Sequence, residues 1–112
     1  MEILKFGGTS VANEQNISLA INIIAKNANK KIVVVSALSG VTDALISSIN
    51  KAKIKDQSYK TILLELRNRH LEVIKSIPIS ENENNAITYI NECFNHLDVL
   101  LEGCFLLEEI SV

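Results

Sequence analysis

Lys5-Phe6-Gly7-Gly8-Thr9-Ser10 stands where a short apolar run gives way to a helical pattern, and it sets one cation and two adjacent glycines at that junction. Glycine lets a ligand come close to the main chain, and a helix that follows offers unpaired N–H groups and a positive dipole end. Lysine adds a full charge. The stretch reads as a strand-to-helix turn suited to phosphate, with Lys5 at the strand end projecting into the crevice. Gly7 and Gly8 would bring backbone donors toward the ligand. An ordinary tight turn beside a solvated lysine contains the same residues, so the neighbouring sequence has to decide.

Before the turn, Glu2-Ile3-Leu4-Lys5-Phe6 is short, apolar and bounded by glycines, as a strand would be. After it, Ile17, Ala20, Ile21, Ile24 and Ala28 follow helical spacing between Asn13 and Asn29. Lys31 to Ala37 then contains Ile32-Val33-Val34-Val35, the composition of a strand buried on both faces. Strand, crossover helix and strand predict a βαβ unit with parallel strands. Leu38-Ser39-Gly40-Val41-Thr42-Asp43 repeats the first junction in form, and a helical pattern follows through Val41, Leu45, Ile49 and Ala52. Two such turns on one parallel sheet share its carboxyl edge, where open α/β sheets hold ligands, and both helix N-termini would point at one crevice. Ser36, Ser39 and Thr42 are also good helix caps, and Asp43 reads as a first-turn charge favoured by the helix dipole.

Beyond Lys55 no further strand pattern occurs. Tyr59, Ile62, Leu63, Leu66, Val73, Ile74 and Ile77 trace one apolar stripe that Pro78 stops. Ser80 and Glu83 have capping-box spacing, so a long helix should start there, burying Ile87, Ile90, Phe94, Leu97, Leu101 and Cys104, with Gly103 as a weak point. His70 and His96 lie within these helices without an evident partner, and Glu102, Glu108 and Glu109 read as a solvated face. Two strands are few for a parallel sheet that needs both faces covered. The alternatives are oligomerisation and missing sequence; the ending Leu106 to Val112 carries no stop signal, which favours missing sequence.

Composition narrows the function classes. The chain has 112 residues, 47% of them apolar, which suits one globular domain with a real core. A net charge of -2 with Lys and Glu interspersed gives no footprint for nucleic acid or an anionic membrane surface. No window approaches the ~18 apolar residues of a membrane span, and the start lacks the pattern of a secretory signal. A cytoplasmic location is therefore expected. Cys93 and Cys104 are too few for a disulfide framework and are expected as packed, reduced thiols on one helical face. No metal-ligand spacing is present.

The phosphate stretch fits neither the G-x-x-x-x-G-K-[ST] loop nor the G-x-G-x-x-G fingerprint. Lys5-Phe6-Gly7-Gly8-Thr9-Ser10-Val11 instead resembles the opening signature of the aspartate kinases. Val35-Ser36-Ala37-Leu38-Ser39-Gly40-Val41-Thr42-Asp43 resembles their second loop at the expected distance. A lone K-x-G-G would point only to the wider amino-acid kinase superfamily, with its acetylglutamate, glutamate and uridylate kinases. Leu100-Leu101-Glu102-Gly103 and the helices before it are similar to the bifunctional aspartate kinase–homoserine dehydrogenases.

The resemblance implies the N-terminal part of a three-layer α/β/α amino-acid kinase fold, here a βαβα unit followed by two helices, with residues 1–112 an incomplete kinase domain. It implies the reaction of ATP, with Mg2+, and L-aspartate to give 4-phospho-L-aspartate and ADP, the first step toward lysine, threonine and methionine. Lys5 would be catalytic, stabilising the transferring phosphoryl group. Gly7, Gly8, Thr9 and Ser10 would hold nucleotide phosphate, Ser39 and Gly40 would border the transfer site, and Thr42 with Ser36 would bind aspartate. A homo-oligomer is expected. The family's S-x-G-E loop, nucleotide-binding half and ACT domains do not occur in these residues, so the 112-residue chain alone is expected to be inactive. Two alternatives stay open: another amino-acid kinase, and a non-catalytic helical interaction or oligomerisation fragment.

Overall fold

The computed structural model describes residues 1–26, 29–77 and 83–110, with side chains through Leu107. Its elements are β1 (Glu2–Phe6), α1 (Glu14–Ala25), β2 (Lys31–Val35), α2 (Val41–Lys53), α3 (Tyr59–Ser76) and α4 (Glu83–Ile110). The chain divides into two compact units, Met1–Val41 and Thr42–Val112.

In the first unit β1 and β2 pair in parallel, from Glu2 opposite Lys31 to Phe6 opposite Val35. The helical crossover explains that direction, because parallel neighbours cannot be joined by a tight hairpin. Asn13 caps α1, its side-chain oxygen accepting from Asn16 N at 2.9 Å. Phe6, Val11 and Ala20 form a core joined by Leu4, Ile17, Ile24 and Leu38. Alternation along β1 puts Leu4 and Phe6 against α1 and leaves Ile3 and Lys5 exposed on the opposite face.

The expectation that β2 is buried on both faces is corrected. Ile32, Val33, Val34 and Val35 are 45%, 39%, 46% and 60% exposed. This unit has one helix to cover its sheet, and that helix packs on Leu4 and Phe6 of β1. A run of β-branched residues reports the environment a strand is built for, and this unit does not supply it.

The second unit is helical. Tyr59 faces Phe105 with ring centroids 5.9 Å apart, and Leu63 clusters with Leu101. Arg67 reaches Asn95 at 2.8 Å and Asp98 at 3.2 Å, and His70 lies edge-on to Phe94. Residues ascending α3 meet residues descending α4, so the two helices form an antiparallel pair. Ala52 at the end of α2 is fully buried in the same core.

After α2, Asp56 N donates to Lys51 O and Lys55 N to Ala52 O, the two bonds of a Schellman cap, with Lys55 at φ 63 where glycine is usual. Its ammonium sits 5.3 Å from the centre of the Phe105 ring. The Ser58 side chain first, then Ser58 N, which donates to Asp56 Oδ1 at 2.9 Å, lower the Asp56 carboxyl below its ordinary value, ahead of the nearby Lys51 ammonium. Of the sequence expectations, Ala28, Pro78 and the Ser80 capping box lie outside the described residues, as do the side chains of Glu108 and Glu109.

Burial first, then Glu102 and Asp98, raises the Tyr59 phenol above its ordinary 10.0. The folded chain thus holds this proton more tightly than the unfolded one. The stabilisation is complete below the ordinary phenol value and is lost as pH rises through the raised one. Thermal melts are expected to fall in midpoint above about pH 10, and Tyr59→Phe should remove that part of the slope.

Candidate functional site

Two loops leave the carboxyl ends of the paired strands on one edge of the first unit. The β1–α1 loop turns twice: Ser10 N donates to Gly7 O at 3.0 Å, and Ala12 N to Thr9 O at 3.4 Å. Val11 anchors this loop in the core, buried with Phe6 and Ala20. Ser36 N donates to Phe6 O at 3.0 Å, extending the strand ladder into the second loop. Leu38 packs against the cluster that contains Val11, so both loops rest on one apolar patch.

Three of the glycines answer different demands. In the second loop Val41 N donates to Leu38 O, and Gly40 has φ 80, the conformation the third residue of a type II turn requires. Gly40 is therefore explained by its own backbone. Gly7 and Gly8 have no positive φ, and a Cβ built on either would meet nothing within 4 Å. Neither turn geometry nor packing in the described structure calls for glycine there. The N–H groups of Gly8 and Thr9 also donate to no described residue. Open space at Gly7 and Gly8 thus adjoins the unused donors of Gly8 and Thr9.

Lys5 is exposed on the sheet face away from α1, one residue before the strand ends, and its ammonium has no ion pair among the described residues. On the other side of the loop a cleft of about 270 Å³ is lined by Phe6, Thr9, Ser10, Asn16 and the α1 residues Leu19, Ala20 and Ile23. The cleft lies on the α1 side, so it is not the space that Lys5 faces.

The structure thus brings Lys5, Gly7, Gly8, Thr9, Ser10, Ser36, Ser39 and Gly40 to one edge of one unit. Thr42 is exposed near the start of α2 and belongs to the second unit, so it is not part of that grouping. The shared edge rests on the sheet alone. Asn13 and Asn16 were not singled out by sequence reasoning, although Asn13 before the acidic start of a helical pattern is a recognisable cap signal. Asn16 Nδ2 donates to Thr9 O at 2.8 Å and ties α1 back to the glycine loop.

The helical unit offers no comparable constellation. His70 Nδ1 lies 2.7 Å from Leu66 O, one helical turn back, which occupies that nitrogen. Cys93 and Cys104 are free and half-buried, Cys104 packing on the Tyr59 cluster. Among the described residues no group of three or more His, Cys, Asp or Glu could hold a metal ion. None of the described helices is long and apolar enough to cross a membrane.

The amino acid kinase family matches residues 1–99. A bifunctional aspartokinase/homoserine dehydrogenase 1 of Zea mays is 29% identical over 91% of this chain and 11% of its own length. An aspartokinase of Chlamydia pneumoniae is 32% identical over 87% of this chain and 21% of its own. Among solved structures, E. coli aspartokinase III in complex with lysine and aspartate superposes with a TM-score of 0.77 at 25% identity, covering 95% of this chain and 23% of that one. The chain therefore spans about a tenth to a quarter of the length of these relatives.

Proposed function

We propose, since this chain belongs to the amino acid kinase family, that it supplies the phosphate-binding edge of an aspartate kinase. Residues 1–112 would be the N-terminal portion of the kinase domain, in a cytoplasmic homo-oligomer that uses ATP and L-aspartate. The relatives support aspartate as the acceptor, being aspartokinases alone or joined to homoserine dehydrogenase. The observation that carries the phosphate site is Gly7-Gly8, two glycines that the fold does not require, next to two unused N–H groups.

The chemistry follows from what these groups can do. The side-chain carboxylate of aspartate is already ionised near neutral pH, so no base has to activate it. One of its oxygens attacks the γ-phosphorus of ATP, the bond to the bridging oxygen breaks, and ADP leaves with that electron pair. Positioning and charge stabilisation are what remains for the protein. Gly8 and Thr9 would donate to phosphate oxygens from their N–H groups, with Gly7 and Ser10 shaping the loop. Lys5 would offset the charge on the transferring group. Ser39 and Gly40 would line the other side of the transfer path, and Ser36 would hold aspartate. The 112 residues contain no S-x-G-E sequence, the loop whose glutamate binds aspartate in the family this chain resembles. The chain by itself is therefore taken to bind phosphate without transferring it.

Amide resonances of the 112-residue chain, followed while ATP is added, test the site directly. Shifts are expected at Gly7, Gly8, Thr9 and Ser10 and in the 36–40 loop, saturating with a dissociation constant of about 1 mM. Shifts confined to the helical unit, or none at all, would overturn the assignment.

A further inference from the structure

We propose that Asn16 is the positioning residue of the glycine loop, fixing the peptide between Thr9 and Ser10 so that the N–H groups of Gly8 and Thr9 stay presented to an anion. This rests on the phosphate reading of the loop. The peptide is held at both ends. Its carbonyl, Thr9 O, accepts from Asn16 Nδ2 at 2.8 Å, and its N–H, on Ser10, donates to Gly7 O at 3.0 Å. Without Asn16 the carbonyl keeps only the bond from Ala12 N, at 3.4 Å, which is beyond the usual range for a backbone hydrogen bond.

Asn16 is itself fixed. It stands in the first turn of α1, where its own N–H donates to Asn13 Oδ1 at 2.9 Å. Its carboxamide therefore reaches the loop from a capped helix rather than from a free side chain. The loop needs such a tie because Gly7 and Gly8 restrain their own φ and ψ weakly. A rotation of the Thr9–Ser10 peptide would break the bond from Ser10 N to Gly7 O and turn Thr9 O toward Gly7 O, opening the turn that presents the Gly8 and Thr9 N–H groups. Asn16 blocks that rotation by holding the carbonyl on the α1 side.

Amide exchange in the 112-residue chain, compared with Asn16→Asp and Asn16→Ala, decides the matter without any ligand. Asn16→Asp retains the shape, removes the donor and places a carboxylate in the first helical turn, where it favours the helix. Exchange at Ser10 and Ala12 is expected to speed up about tenfold in both variants, while β1, β2 and α1 amides keep their rates and Asn16→Asp keeps its melting temperature. Inorganic tripolyphosphate should bind Asn16→Ala about tenfold more weakly than the unsubstituted chain. Unchanged exchange at Ser10 in both variants would overturn the proposal, and so would acceleration spread evenly over α1, which would make Asn16 only a helix residue. If tripolyphosphate fails to bind the unsubstituted chain, the phosphate reading falls, and the exchange comparison still shows whether Asn16 fixes the loop.

Discussion

Replacing Lys5 by alanine is expected to lower phosphoryl transfer about 10²–10³-fold in a kinase that carries this segment, with no loss of stability. The expectation comes from where the structure puts the side chain. Lys5 is exposed on the sheet face opposite α1, and its ammonium makes no ion pair among the described residues. Substitutions at such surface positions usually change stability by less than about 0.5 kcal/mol. A lysine without a structural task, three and four residues before the two unused N–H groups, is well placed to meet charge that develops on a ligand. In the isolated 112-residue chain the same substitution should remove a charge-assisted contact of about 1.5–3 kcal/mol and so weaken ATP at least tenfold. A melting temperature that drops with the substitution, or a transfer rate within a factor of two or three of the unsubstituted enzyme, would assign Lys5 to the fold instead.

Much of this site could be read from residue order, because its parts are local. Lys5, Gly7 and Gly8 sit at a strand end within four residues, and the apolar spacing from Ile17 to Ile24 sets the helix that follows. Placing the second loop on the same edge needed only the parallel pairing that a helical crossover implies. What could not be read depends on contacts across the fold. Leu38 joining the Val11 cluster ties the two loops together, and nothing in the spacing of Leu38 announces it. Asn16 looks like an ordinary polar helix position until its carboxamide is seen on Thr9 O. The exposure of Val33, Val34 and Val35 was hidden because β-branched composition describes a strand's preferred surroundings rather than its actual ones. Gly7 and Gly8 looked like Gly40 in sequence. Backbone angles separated them, since Gly40 alone of the four glycines has positive φ.

The largest effect on stability is expected at Tyr59, where alanine should destabilise the helical unit by about 3–5 kcal/mol. Tyr59 is 2% exposed and belongs to the cluster of Ala52, Leu63 and Leu101, with the Phe105 ring beside it. It stands at the first turn of α3, just after the Schellman cap that ends α2, so one side chain joins α2, α3 and α4. Small domains have only about 5–15 kcal/mol of net stability, and this substitution takes a large share of it. The loss should also exceed that from Leu64→Ala, because Leu64 is 58% exposed. Far-UV circular dichroism reads the outcome well, since α2, α3 and α4 hold most of the helix in the chain. Tyr59→Ala is expected to lose helical signal at temperatures where the unsubstituted chain keeps it, while Tyr59→Phe, which retains the ring, stays within about 1 kcal/mol. If Tyr59→Ala melts like Tyr59→Phe, the core of the second unit does not depend on this ring. In that case the Arg67 contacts to Asn95 and Asp98, together with the Phe94 ring 5.8 Å from the guanidinium, would be what pairs α3 with α4.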